Sequence, residues 1–379
     1  MILGIDGSNL RRGGGITHLI EILGAVQPEA SGFSRVIIWS SRKTLDQLED
    51  KPWLEKVSDP ALEKSLPFRL WWQRVKLSNE LRQTNCDILF VPGGMYLGSF
   101  RPFVTMSRNM LPFEFREIRR YGFSWQFIRN LLLKIGQAKS FQSADGVIFL
   151  TKYAKESVSK SIGTIKGKQA IIPHGVNRDF SSYPREPLPV SSYNSKSPFS
   201  ILYVSVVEPY KHQWHVVEAV AMLIKKGLPV KLDLVGPANP STLIKLEDKL
   251  KQYQCYSDYI KYHGAIDYKQ LAAVYSKADL FIFASSCENM PNILLEAMSS
   301  GLPVASSNLG PMPEILEDAG LFFNPESPLE IKETIEKYFE SSELRKEKAV
   351  AAYNRALDFS WERCANSTFD FLASTIKGK

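Results

Sequence analysis

The chain has 379 residues, a formal net charge of +7 and 44% hydrophobic residues. At about 150 residues per domain this is two or three ordinary globular domains, with a core large enough to need no disulfide staples. The opening MILGIDGSNL has no basic leader and carries Asp6 inside its apolar run, so it reads as a first strand rather than a signal peptide.

No stretch reaches the roughly 18 apolar residues that a membrane span requires. The four cysteines, Cys86, Cys255, Cys287 and Cys364, are far apart and form no C-x-x-C pair, and no histidines cluster along the chain. That pattern predicts reduced thiols in a cytoplasmic protein and no zinc site. The positive charge favours anionic partners such as phosphates, nucleotides or acidic lipids. Nucleic acid is disfavoured, because no basic-aromatic platform or recognition motif is present.

Short β-branched runs alternate with amphipathic helical patterns. MILGID, RVIIWS, DILFVP, PFVTM, GVIFL and QAIIP read as strands of the first half. FSSYPREPLPVSSYNSKSP then breaks the pattern with four prolines and a cluster of serines. The alternation restarts with SILYVSVV, VKLDLVG, YIKYHGAI, ADLFIFAS, LPVASS and GLFFN as strands. The expected architecture is α/β, with two doubly wound Rossmann-like domains facing across a cleft. Their expected bounds are 1–178 for the first domain, 179–198 for a linker and 199–359 for the second domain. The terminal helix 360–379 is able to complete the first.

The stretch SSCENMPNILLEAMSSGLPVASS holds Glu288 and Glu296 eight positions apart. A helix starting near Pro291, which suits a first turn, would leave the N–H groups of Asn292 and Ile293 at a positive helix end suited to a diphosphate. Carboxylates before and along that helix could grip sugar hydroxyls on either side. By spacing alone the pair reads more simply as a solvated capping residue and a surface helix residue.

The longer stretch ENMPNILLEAMSSGLPVASSNLGPMPEIL resembles the donor-binding segment of glycosyltransferase family 4, whose members have the GT-B architecture. GGGITHL after the first strand, IPHGVN closing the first domain and YVSVVEPYKHQWHVVEAV opening the second agree in order, as do Gly310, Pro311, Glu314 and Ile315. The resemblance is strongest over 200–325. It implies that Glu296 hydrogen-bonds the nucleotide ribose and Glu288 holds the transferred sugar. Asn292 and Ile293 would offer N–H groups, with Asn289 and Met290 in the same donor loop. Lys211 would pair with the phosphates as the leaving group gains charge. Gly14 and Gly15 would let backbone approach the substrates, and Gly264, Ala265 and Ile266 would line the nucleobase pocket.

The chain departs from the family at three places. Ser205 and Val206 stand where a Gly-Arg pair is common, so that arginine is absent. Arg108 and Asn109 replace a His-Asp pair, and Arg108 is a candidate for the missing cation. Pro291 replaces a glycine and removes one N–H donor. His18 and His174 are acceptor-side candidates, whereas His212, His215 and His263 read as helix or strand-end residues.

The resemblance implies a retaining, metal-independent hexosyl transfer with no cofactor beyond the nucleotide-diphosphate sugar. With no protein nucleophile in view, front-face displacement is expected. The basic-aromatic stretch 113–141 suggests peripheral contact with the inner face of the cytoplasmic membrane. A lipid-linked glycan acceptor in surface polysaccharide assembly, of O-antigen or capsule type, is then expected. The alternatives are an epimerase or phosphorylase of similar architecture, or a binding protein that has lost catalysis.

Overall fold

A computed structural model of the chain describes residues 1–11 and 13–377, and it divides into two compact units. The first comprises 1–118, 122–175 and the C-terminal segment from 360 onward; the second comprises 119–121 and 176–359.

The first unit is built on seven parallel strands: β1 (Ile2–Asp6), β2 (Arg35–Trp39), β3 (Leu54–Val57), β4 (Ile88–Val91), β5 (Phe103–Met106), β6 (Gly146–Phe149) and β7 (Lys168–Ile171). Their order is β3-β2-β1-β4-β5-β6-β7. β1, β4, β5 and β6 are covered on both faces, which is why they read as unbroken apolar runs. Strand β3 has no counterpart among the predicted strands. Its sequence LEKV is half polar and only partly buried at the sheet edge, so it lacks the apolar signal of a central strand.

The second unit holds β8 (Phe199–Val204), β9 (Val230–Val235), β10 (Ile260–Tyr262), β11 (Leu280–Phe283), β12 (Val304–Ser307) and β13 (Leu321–Phe323), in the order β10-β9-β8-β11-β12-β13. Each sheet therefore reverses its strand order next to its first strand. Ligands of such sheets bind at the carboxyl ends of the strands flanking that reversal.

The terminal helix Trp361–Lys377 belongs to the first unit and packs on helix Gly14–Ala25. The last two residues of the expected 360–379 helix lie outside the described residues.

One expectation on organisation is corrected. The segment 179–198 is not a separate linker but part of the second unit, which begins at Val176. Its prolines bar a long helix or a ladder, so side chains and the end of helix Asn292–Ser299 bind its backbone instead. Ser182 N–H donates to the Ser299 carbonyl at 2.9 Å. Arg345 donates to the Leu188 carbonyl at 2.5 Å, and Arg185 pairs with Asp279 at 2.7 Å. Gly301 is required where this segment crosses: its φ is +69°, and a Cβ there would lie 2.6 Å from the Ser182 carbonyl oxygen.

The stretch 113–141 holds several short elements ahead of one long helix. Arg119–Tyr121 groups with the second unit, where Arg120 is ion-paired with Glu326 and the Tyr121 hydroxyl donates to Glu208 at 3.0 Å. The long helix starts only at Trp125, capped by the Ser124 hydroxyl, which accepts from Phe127 N–H at 3.3 Å, and runs to Ser143. Among the described residues no helix is long and apolar enough to cross a membrane.

Candidate active site

In the second unit the candidate donor residues converge on the loops after β8, β10 and β11. Helix Asn292–Ser299 follows the loop after β11, with Pro291 as its N-cap in an extended conformation. The first backbone hydrogen bond of this helix is Leu294 N–H to the Pro291 carbonyl, 3.1 Å. The N–H groups of Asn292 and Ile293 precede it and stand at the positive helix end. Pro291 has no donor to lose there, so replacing glycine leaves both N–H groups in place.

Lys211 and Glu288 form an ion pair, with side chains 5% and 14% exposed. The ammonium also lies 5.0 Å from the centre of the Phe283 ring. A charge pair this deep is held by each partner's need for the other. Losing one member leaves the second uncompensated, at about 3–5 kcal/mol. The loops carrying the pair are tied together: Ser286 N–H donates to the Tyr210 carbonyl at 2.8 Å, and His212 Nε2 meets Ser286 Oγ at 2.9 Å. His212 adopts the left-handed conformation, φ +52°, at the N-cap of helix Gln213–Lys225, so it is not an ordinary helix residue.

Glu296 is buried rather than on the surface. The hydroxyls of Tyr268 and Tyr275 donate to its two carboxylate oxygens at 3.2 and 3.3 Å. Burial pushes its pKa up to about 7 against the opposing pull of those hydrogen bonds. The two tyrosines were not among the predicted site residues. Their seven-residue spacing on helix Tyr268–Tyr275, which puts both on one face, was the available signal. Asn289 and Met290 are buried in the loop beside Glu288. Gly264, Ala265 and Ile266 form the partly open loop after β10, where the Gly264 carbonyl accepts from Gly236 N–H at 2.8 Å. Ser205 and Val206 follow β8; the Val206 carbonyl accepts from the Gln213 side chain at 2.9 Å.

In the first unit the predicted residues take different employment. Gly14 and Gly15 are the first turn of a helix, not a loop. The residue that needs glycine is Gly13, at φ +67°. Arg108 sends one guanidinium nitrogen to the Gly15 carbonyl at 3.2 Å and the other to the Gly14 carbonyl. Burial lowers its pKa to about 10, so it stays charged. Asn109 accepts from Leu111 N–H at 3.1 Å and shapes its own turn.

His18 and His174 lie in the interior of the first unit. They are 0% and 4% exposed, their Nδ1 atoms lie 3.1 Å apart, and Trp361 packs on both rings. The terminal helix supplies that cover. The ligating atoms of His18, His174 and Cys364 all lie within 4.8 Å of one another, a grouping that chain spacing could not show. Burial holds both imidazoles well below their usual range and pushes the Cys364 thiol up to about 12. The three groups are therefore neutral beside the Arg108 cation, a charge state suited to packing rather than to proton transfer at neutral pH.

Two doubly wound parallel sheets, the second with a charged pair and a buried carboxylate around a helix N-terminus, define the GT-B class. The chain resembles solved members of it. HepE from Anabaena, solved with UDP, aligns with TM-score 0.68 and 17% identity over 98% of this chain and 99% of that one. WaaG, a glycosyltransferase involved in lipopolysaccharide biosynthesis, aligns with TM-score 0.70 and 18% identity over 98% and 99%.

Family models cover both halves: Glycosyltransferase Family 4 over residues 12–180 and Glycosyl transferases group 1 over residues 185–355. The chain belongs to glycosyltransferase family 4. The O-antigen chain mannosyltransferase B of Escherichia coli is 29% identical over 192 residues, which are 49% of each chain. The chain spans about half or less of the length of the curated relatives it matches first.

Proposed function

We propose that the protein is a retaining hexosyltransferase. It moves a sugar from a nucleotide-diphosphate donor to a lipid-linked glycan acceptor in bacterial surface polysaccharide assembly. The observation that carries this reading is the buried Lys211–Glu288 pair beside the free N–H groups of Asn292 and Ile293, with Glu296 further along the same helix. The O-antigen mannosyltransferase relative and the lipopolysaccharide role of WaaG support the pathway class.

In this reading the ribose hydroxyls donate to Glu296 and the sugar hydroxyls to Glu288. The diphosphate takes over the Lys211 ammonium and the helix N–H groups. As the bond between the anomeric carbon and the phosphate oxygen breaks, the acceptor hydroxyl attacks the same face. Its proton passes to the departing diphosphate oxygen. The chain supplies orientation and charge stabilisation, and we expect turnover without a divalent metal. The first unit would meet the inner membrane face through helix Trp125–Ser143. That helix exposes Trp125, Ile128, Leu132 and Ile135 along one side, with Arg129 and Lys139 also exposed.

Thermal stabilisation by UDP, GDP, dTDP, ADP and CMP, repeated with Glu296→Ala, tests the donor site. A ligand of the folded state adds about 2.7 kcal/mol at a hundredfold excess over Kd. One diphosphate should stand out and fail on the variant. No shift with any nucleotide would refute the reading.

A further inference from the structure

Helix Leu66–Val75 leaves much of its apolar surface exposed. Gln73 and Trp72 point inward, while Phe68, Trp71 and Val75 are each about half exposed on the outer side. The Gln73 amide fixes this orientation. Its nitrogen donates to the Met95 carbonyl at 3.0 Å, and its oxygen accepts from Leu97 N–H at 3.1 Å.

Below the exposed side an open cleft of about 600 Å³ is lined by Asp59, Lys64, Phe68, Trp71 and Lys76 among others. Lys64 lies 5.1 Å over the Phe68 ring and Lys76 5.8 Å over Trp71. Two guanidiniums stitch this helix region to the loop that follows β1. Arg69 donates to the Ser8 carbonyl and to Asn9 Oδ1, both at 3.1 Å. Arg11 donates to the carbonyls of Leu62 and Lys64.

Among the described residues neither arginine has a carboxylate partner. Their Nε groups are buried without a hydrogen bond. The two cations also oppose each other: burial first, and then the Arg11 charge, lowers the pKa of Arg69. A like-charged pair without a carboxylate partner, at the carboxyl edge of a parallel sheet, lacks an anion.

We infer that Arg11 and Arg69 hold the phosphate or diphosphate of an amphiphilic acceptor, whose apolar chain lies along Phe68 and Trp71. Planar guanidiniums match phosphate oxygens two at a time. The lysines over the rings supply further positive charge, and the exposed aromatic side supplies a surface for hydrocarbon. A neutral lipid would leave the arginines unanswered, and a free phosphate would leave the aromatic side bare. The inference rests on the lipid-linked acceptor proposed above and gives it a binding site.

The test is calorimetric binding of farnesyl diphosphate, farnesol and inorganic diphosphate to the full chain. Farnesyl diphosphate should bind at least about tenfold more tightly than either fragment, as charge-assisted bonds and apolar burial combine. Arg69→Ala and the surface variant Lys64→Glu should each weaken it by about tenfold or more. Trp71→Ala should weaken farnesyl diphosphate but not inorganic diphosphate. Arg69→Lys, with a matching melting curve, controls for folding. Equal binding of farnesol and farnesyl diphosphate would overturn the inference. So would binding that survives both Arg69→Ala and Lys64→Glu, or binding abolished by Lys211→Ala, which would place the ligand in the donor site. Nucleoside diphosphate binding, measured alongside, reports separately on the donor reading.

Discussion

Glu296→Gln isolates the electrostatic cost of the donor site. The carboxyl ionises near pH 7 in the folded protein against 4.5 unfolded. Over that window the folded state binds the extra proton, so stability falls as pH rises from 4.5 and levels off above 7. A shift of this size corresponds to about 3 kcal/mol of destabilisation at pH 8 relative to pH 4. Glutamine keeps the volume and can still accept from one tyrosine hydroxyl, but it carries no charge to desolvate. Glu296→Gln should therefore melt higher than the parent at pH 8, by about 5–10 °C for a domain of 150–250 residues, with the difference closing toward pH 5. Nucleotide affinity should move the other way. The ionised parent accepts two ribose hydroxyls, so its affinity should fall by up to about tenfold per pH unit below 7, and Glu296→Gln should bind weakly at every pH. Melting curves and calorimetric titrations from pH 5 to 8.5 measure both. Parallel pH–stability curves for the two proteins, or nucleotide affinity flat between pH 6 and 8, would refute the reasoning.

Glu288→Ala should abolish transfer while leaving nucleotide binding mostly intact, as read from product formation and calorimetry. Lys211→Met should weaken nucleoside diphosphate binding more than nucleoside binding. It should also cost about 3 kcal/mol of stability by stranding Glu288, a loss that adding Glu288→Gln recovers in a double-mutant cycle. Gly13→Ala places no atom within 4 Å of a neighbour, so its effect is that of the φ +67°, ψ −160° backbone alone; about 1–3 kcal/mol of destabilisation should appear in denaturant melts. Leu132→Asp, on the exposed side of helix Trp125–Ser143, should reduce sedimentation with anionic lipid vesicles and leave nucleotide affinity unchanged.

The sheets were largely legible in the sequence because central strands must be apolar on both faces and the turns between them need glycine, proline and small polar residues. The missed strand, β3, lies at an edge where that requirement lapses. Glu288, Lys211 and Glu296 could be singled out because the stretches around them resemble the family's donor-binding segment; spacing alone left the two glutamates ambiguous. The roles in the first unit were less legible. Gly14 and Gly15 signalled a backbone device, but in the folded chain the special backbone is at Gly13 and Arg108 binds the two following carbonyls. His18 and His174 are 156 positions apart, and the helix that seals them begins almost two hundred residues beyond His174. Periodicity reports the neighbours along an element; which distant element lies on top is set by topology. The same limit explains why Arg11 and Arg69 escaped notice. Each alone is an unremarked basic residue, and their chemistry arises from sharing one edge of a sheet without a carboxylate between them.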